Sequence, residues 1–206
     1  MNATDAVFYV AILIMSVVIH EISHGFMAER FGDKTARYAG RLTLNPIKHL
    51  DLFGSILLPA LLIISKVGFV FGWAKPVPYN PNNLSNKKWG TIAVASAGVM
   101  ANFFIAIVFG LMLRIGLSYS LPDGFYFIVS AITLVNIGLG VFNLIPIAPL
   151  DGSRILVSFL PVSFERWVDS FERYSIFLLI IFVIYFSHYL YPVVGFIYRS
   201  ITGMPM

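Results

Sequence analysis

The chain contains no cysteine. Disulfides, thiolate metal sites and cysteine nucleophiles are therefore excluded, and any bound metal has to be held by His, Asp or Glu. Charge is also scarce. Only 12% of the 206 residues are Asp, Glu, Lys or Arg, against about a quarter in soluble domains, while 58% are hydrophobic and mean hydropathy is +0.84. That balance excludes an ordinary soluble fold and indicates an integral membrane protein. No basic n-region or small-residue cleavage site accompanies the first apolar run, and Asp5 precedes it. The run is therefore expected to be a retained helix rather than a cleaved signal peptide. Repeats, low-complexity tracts and an appended soluble domain are also missing, so residues 1–206 are expected to form one domain. The pI near 9.4 does not point to nucleic acid, because Lys and Arg are scattered over short connections between apolar segments. This distribution marks cytoplasmic-side loops.

Four stretches meet the roughly 20-residue criterion for a membrane helix: about 6–28, 90–117, 125–147 and 173–198. The segment 29–51 is polar, and its "RLTL" alternates in the manner of a short extended strand. Residues 52–72 are apolar but broken by Pro59, Lys66 and glycines, which leaves a full span and a re-entrant segment both open. "GWAKPVPYNPNN" carries three prolines before its final asparagines and is expected to be an extended loop. The fold class expected is an all-α polytopic membrane protein. It has four full transmembrane helices, a re-entrant or interfacial segment, and short extended strands between the first two spans.

Chemistry concentrates at "HEISHG", residues 20–25. His20 and His24 are four apart, so on a helix they stand one turn apart on one face, the spacing that lets two imidazoles share a Zn²⁺. Glu21 is placed where a carboxylate can take a proton from an activated water. Three ionisable groups within five residues of an apolar span read as functional by default. The uncharged run Ala6–Ile19 puts His20 roughly 20 Å along the helix, inside a hydrocarbon core about 30 Å thick. The adjoining segment holds Arg30, Lys34, Arg37, Arg41 and Lys48, so the near surface is expected to be cytoplasmic.

A catalytic zinc needs a third protein ligand and an open position. Asp151, in "NLIPIAPLDGSR" at 143–154, is one candidate, since Pro146 and Pro149 break the third span there. Glu165 or Glu172, in "FERWVDSFER", is the other. If Asp151 meets His24, the first and third spans must run in one direction. One crossing, by 90–117, then separates them, and 52–72 is expected to be re-entrant.

"HEISHG" in the first span, "GWAKPVPYNP" in the middle and "NLIPIAPLDG" later, in that order over about residues 6–160, resemble the site-2 protease family, peptidase family M50. Those proteins are intramembrane zinc metalloproteases, and the chain resembles a compact form without a sensor domain. The resemblance implies that His20, His24 and Asp151 bind one Zn²⁺ per chain, with Glu21 as general base and Asn143 on the substrate backbone. "SAGVMANFF" is similar to the family's Ala-Gly-Pro-x-x-Asn motif, with Val99 in place of Pro and Asn102 retained; Asn102 is expected to face the site and bind substrate, with a helix-to-helix hydrogen bond the equal alternative. His49 matches a family position near the cavity, although a surface His at the interface is the reading expected first.

The expected activity is zinc-dependent hydrolysis of peptide bonds in transmembrane substrates, with a catalytic core at 6–160 and a C-terminal helix at 173–198. Pro76, Val77 and Pro78, with the strand near "RLTL", are expected to hold an unwound substrate by edge pairing. Expected partners are transmembrane protein substrates, the lipid bilayer and a separate regulatory membrane protein. The expected location is a bacterial or archaeal cell membrane, with the site toward the cytoplasm. A catalytically silent scaffold or a metal transporter is the alternative. Transport calls for polar residues through the full depth, whereas here they cluster on one side.

Overall fold

The structure is a computed structural model that describes residues 3–51, 54, 57, 74–161 and 165–205, with only the backbone at 165–172. α1 spans Ala3–Arg30, with Asp5 in its first turn and Arg30 in its last, each suited to the helix dipole there. It ends at Gly32, whose φ of +103° suits a residue without Cβ. A single turn, α2 (Thr35–Tyr38), and a short 3₁₀ turn at Pro46–His49 follow. α3 (Lys87–Gly116) starts where the Asn86 side chain accepts the Trp89 N–H at 2.9 Å, a standard N-cap. α4 spans Asp123–Asn143 and α5 spans Asp151–Phe159. α6 (Glu165–Ile181) continues through a π turn at Phe182–Phe186 and a 3₁₀ turn into α7 (Leu190–Thr202).

Among the described residues, four helical stretches are long and apolar enough to cross a membrane: Thr4–Arg30, Lys87–Gly116, Asp123–Asn143 and Arg173–Thr202. The third stops at Asn143, short of the 147 expected from hydropathy. Pro146 cannot donate to a helix and disfavours helical backbone at the residue before it, so the chain turns at 144–150.

Side-chain pairings give the helix directions. Tyr9 packs on Phe127 with centroids 5.5 Å apart, and Ser16 pairs with Asn136, so α1 and α4 are parallel. His20 meets Asn102 and His24 meets the Val94 carbonyl, so α3 runs antiparallel to α1. The C-terminal halves of α1 and α4 therefore meet the N-terminal half of α3 at one depth. At the other end, Ala106, Leu113, Val129, Ile137 and Tyr198 form a buried cluster joining α3, α4 and α7. Its van der Waals packing, with small residues such as Ala106 admitting neighbouring helices, holds the bundle where lipid removes the hydrophobic drive.

The expected strands do not form among the described residues. Residues 41–50 and 74–80 are irregular and run side by side, joined by Lys75 N–H donating to His49 O at 2.8 Å. A ladder is blocked because Pro76 and Pro78 have no N–H and the Val77 N–H is taken by Glu21. The expected re-entrant segment, 52–72, lies outside the described residues apart from Gly54 and Leu57, and it is not supported.

Candidate metal centre

Three acceptor atoms converge from two elements. His20 Nε2 and His24 Nε2 are 3.0 Å apart, and Asp151 Oδ2 lies 3.1 Å from the first and 3.3 Å from the second. The two rings are nearly perpendicular, at 87°. All three side chains are largely buried, with Asp151 the most open at 13% exposure. Glu21 also reaches this group: His20, Glu21 and His24 offer ligand atoms within 4.8 Å of one another.

Hydrogen bonding shows what the group lacks. His24 Nδ1 lies 2.7 Å from Val94 O, a carbonyl that can only accept, so Nδ1 carries the hydrogen and neutral His24 presents a lone pair at Nε2. His20 Nδ1 lies 2.5 Å from Asn102 Oδ1, with the same consequence. Asp151 Oδ2 is buried and receives no hydrogen bond. Two lone pairs and a carboxylate oxygen facing one another repel unless a cation lies among them. Tetrahedral zinc with ligands about 2.0–2.1 Å away separates them by roughly 3.3 Å, close to the edges observed. Two imidazoles and a carboxylate leaving an open position suit Zn²⁺ in a hydrolytic site.

Two glycines permit this approach. A Cβ on Gly98 of α3 would lie 2.6 Å from His20 Cε1 and from His24 Nε2. A Cβ on Gly152 would collide with the Leu144 carbonyl at the end of α4, so glycine lets α5 begin tightly against that turn and aim Asp151 back at the histidines. Val99, where the similar motif has Pro, is buried within α3, which continues unbroken.

Glu21 is held from the loop side. Val77 N–H donates to its Oε2 at 2.8 Å. Beneath that contact, Arg41 donates to the carbonyls of Lys48, Lys75 (2.8 Å) and Pro76 (3.2 Å), clamping 41–50 to 74–78. Asp33 accepts from Thr35 N–H, Thr35 Oγ1, Asn80 N–H and Asn83 Nδ2, tying the other end of the loop to the end of α1. Burial pushes the Asp33 carboxyl up, but these bonds outweigh it and hold it below the usual 3.8. Arg154 donates to Tyr79 Oη at 2.8 Å and joins the loop to α5.

The expected site residues divide accordingly. His20, Glu21, His24, Asp151, Asn102 and Val77 come together; Pro76 and Pro78 flank Val77 on the exposed face. Asn143 turns its amide onto its own helix, Nδ2 donating to Leu139 O at 3.0 Å. His49 is buried, 1% exposed, with Nε2 2.9 Å from Thr43 O, which corrects the surface reading. The polar segment around it folds inward on Arg41. Glu165 and Glu172 have side chains outside the described residues. Gly98 and Asn136 escaped the sequence reading, and Arg41 was read there only as a charge that sets topology. Asn136 had a readable signal, an amide in the middle of an apolar span.

Comparison with known proteins identifies relatives and a family. A Bacillus subtilis protein named "Putative zinc metalloprotease YwhC" is 35% identical over 91% of this chain and 86% of its own length. "Putative zinc metalloprotease Rip2" of Mycolicibacterium smegmatis is 29% identical over 83% of this chain and 64% of its own. "Zinc metalloprotease MJ0392" of Methanocaldococcus jannaschii is 27% identical over 72% and 33% respectively. No solved structure matches the chain significantly. The profile of the family described as Peptidase family M50 matches residues 8–121 and 112–186, spanning the helices that carry the triad of acceptors, and this chain belongs to that family.

Proposed function

We propose that the protein is a zinc-dependent intramembrane endopeptidase that hydrolyses peptide bonds of transmembrane substrates. The convergence of His20 Nε2, His24 Nε2 and Asp151 Oδ2 within 3.3 Å, with both histidines in a helix long enough to span a bilayer, carries this reading. His20, His24 and Asp151 would hold one Zn²⁺. When bound, the cation supplies Lewis acidity, which lowers the pKa of a water and polarises a scissile carbonyl. Glu21 is the general base: with Oε2 engaged by Val77 N–H, its Oε1 takes the water proton and returns it to the leaving amine.

Substrate helices keep their amides internally bonded and must unwind before attack. Exposed Pro76 and Pro78 flank Val77, whose N–H holds Glu21, and with Asn143 they form the proposed substrate side. Asn102, expected there, is buried between His20 and Asn136 and supports the metal centre instead. The polar end of α1 faces the cytoplasm by the positive-inside rule, in a bacterial or archaeal cell membrane, and the chain acts as one metalloprotease domain. Partners are single-span substrates and a separate regulatory membrane protein.

The test is cleavage of a panel of single-span substrates in lipid, with zinc quantified in wild type, Glu21→Gln and Asp151→Asn. Loss of cleavage with zinc retained in Glu21→Gln, and loss of both in Asp151→Asn, is expected. Full zinc in Asp151→Asn, or cleavage independent of Glu21, would overturn the assignment.

A further inference from the structure

A chain of buried amides runs from His20 away from the acceptor triad, and its direction is determinate. Asn102 Nδ2 donates to Asn136 Oδ1 at 2.8 Å, and Asn136 Nδ2 donates to both Ser16 Oγ and Ile132 O at 2.9 Å. Asn102 and Asn136 are 0% exposed and Ser16 is 4% exposed, so no bulk water competes. An amide can be turned end for end, which exchanges donor for acceptor. Here one member cannot reverse. Ile132 O is a main-chain carbonyl that only accepts, so the Asn136 side that faces it must be Nδ2.

The consequence propagates. Asn136 then presents Oδ1 to Asn102, Asn102 must answer with Nδ2, and its Oδ1 is left facing His20 Nδ1. An acceptor there requires Nδ1–H. We propose that Asn136 is a positioning residue for the metal centre: through Asn102 it transmits the polarity of the Ile132 carbonyl to His20, keeping the hydrogen on Nδ1 and the Nε2 lone pair free for zinc. Val94 O does the same for His24 in one direct bond. A backbone carbonyl thus selects the tautomer of each imidazole, at one remove for His24 and at three for His20. With Asn136 gone, Asn102 can turn over, offer Nδ2 to Nδ1 and favour hydrogen on Nε2, where it blocks the metal. The inference rests on the reading of His20 as a zinc ligand.

The test uses ¹⁵N-imidazole-labelled, metal-stripped full-length protein in lipid nanodiscs at pH about 8, where an ordinary imidazole is neutral. His20→Gln identifies the His20 resonances. Wild type is expected to carry hydrogen on His20 Nδ1. Asn136→Leu is expected to show both tautomers and to bind zinc about 10–100-fold more weakly, the usual effect of losing an outer-shell partner. Ser16→Ala should cause no comparable loss, since a hydroxyl sets no polarity. Adding Asn102→Asp to Asn136→Leu should restore affinity, because a carboxylate only accepts and cannot face the wrong way; that rescue would not occur if Asn136 served packing alone. His20 Nδ1 without hydrogen in wild type would overturn the proposal even if Asn136→Leu failed to fold, and so would Ser16→Ala matching a folded Asn136→Leu. Full zinc affinity in His20→Gln would instead remove the ligand assignment while leaving the tautomer result intact.

Discussion

At the scale of single residues, absent atoms matter as much as the groups that react. Gly98 offers no Cβ where one would lie 2.6 Å from both candidate imidazoles. Gly98→Ala is therefore expected to displace His20 or His24 and lower zinc affinity at least about 10-fold, equivalent to about 1.4 kcal/mol. Equilibrium dialysis would detect it, and unchanged affinity would mean that α3 can retreat without cost. Asp33 makes its contribution by accepting. Its carboxyl is held below 3.8, so the stability it supplies is complete above the unfolded value and is lost as pH falls through the lower folded value. Asp33→Asn is expected to cost about 2 kcal/mol near neutrality, where charge-assisted bonds are lost. The gap to wild type should close in thermal unfolding below pH 3.8.

At the scale of elements, the loop 74–80 holds Glu21, the proposed general base, although it contains none of the candidate metal ligands. Arg41 clamps its carbonyls, its Val77 N–H meets Glu21, and Tyr79 meets Arg154 on α5. Arg41→Met removes three donated bonds and frees Val77 to leave Glu21. The expected result is about a 10-fold lower kcat, or about 1.4 kcal/mol, with zinc still bound, because the hydrogen bonds of Arg41 go to Lys48, Lys75 and Pro76 and to none of the candidate ligands. A fall in zinc content to match would place Arg41 in support of the metal instead.

At the scale of the whole molecule, the candidate centre joins parts that lie far apart in sequence. Asp151 stands after the α4 turn, and the histidines stand in α1, 127 residues before it at His24. A cation binding only the folded arrangement stabilises it, by about 2.7 kcal/mol when free metal is 100 times Kd. Chelation is therefore expected to lower the unfolding temperature of wild type in detergent and to leave Asp151→Asn nearly unmoved. An equal shift in both would show that the chelator acts elsewhere.

The linear sequence was enough to determine that the chain has the composition of a membrane protein, that it carries four helices long and apolar enough to cross a bilayer, to within a few residues at their ends, and which histidines share a helix face. These properties depend on composition and on spacing within one helix, both local. Residue spacing left Asp151, Glu165 and Glu172 open and only a resemblance favoured Asp151; the tertiary structure brings Asp151 to the histidines, because helix direction and the turn at 144–150 return it to their depth. It also decided that "RLTL" is no strand, since the prolines and the Val77–Glu21 bond remove the ladder, and that His49 is buried against Thr43. The orientation of the amides at 102 and 136 is the clearest case. No residue spacing encodes it, because it follows from one carbonyl of α4 lying 2.9 Å from an amide that reaches α1 through α3.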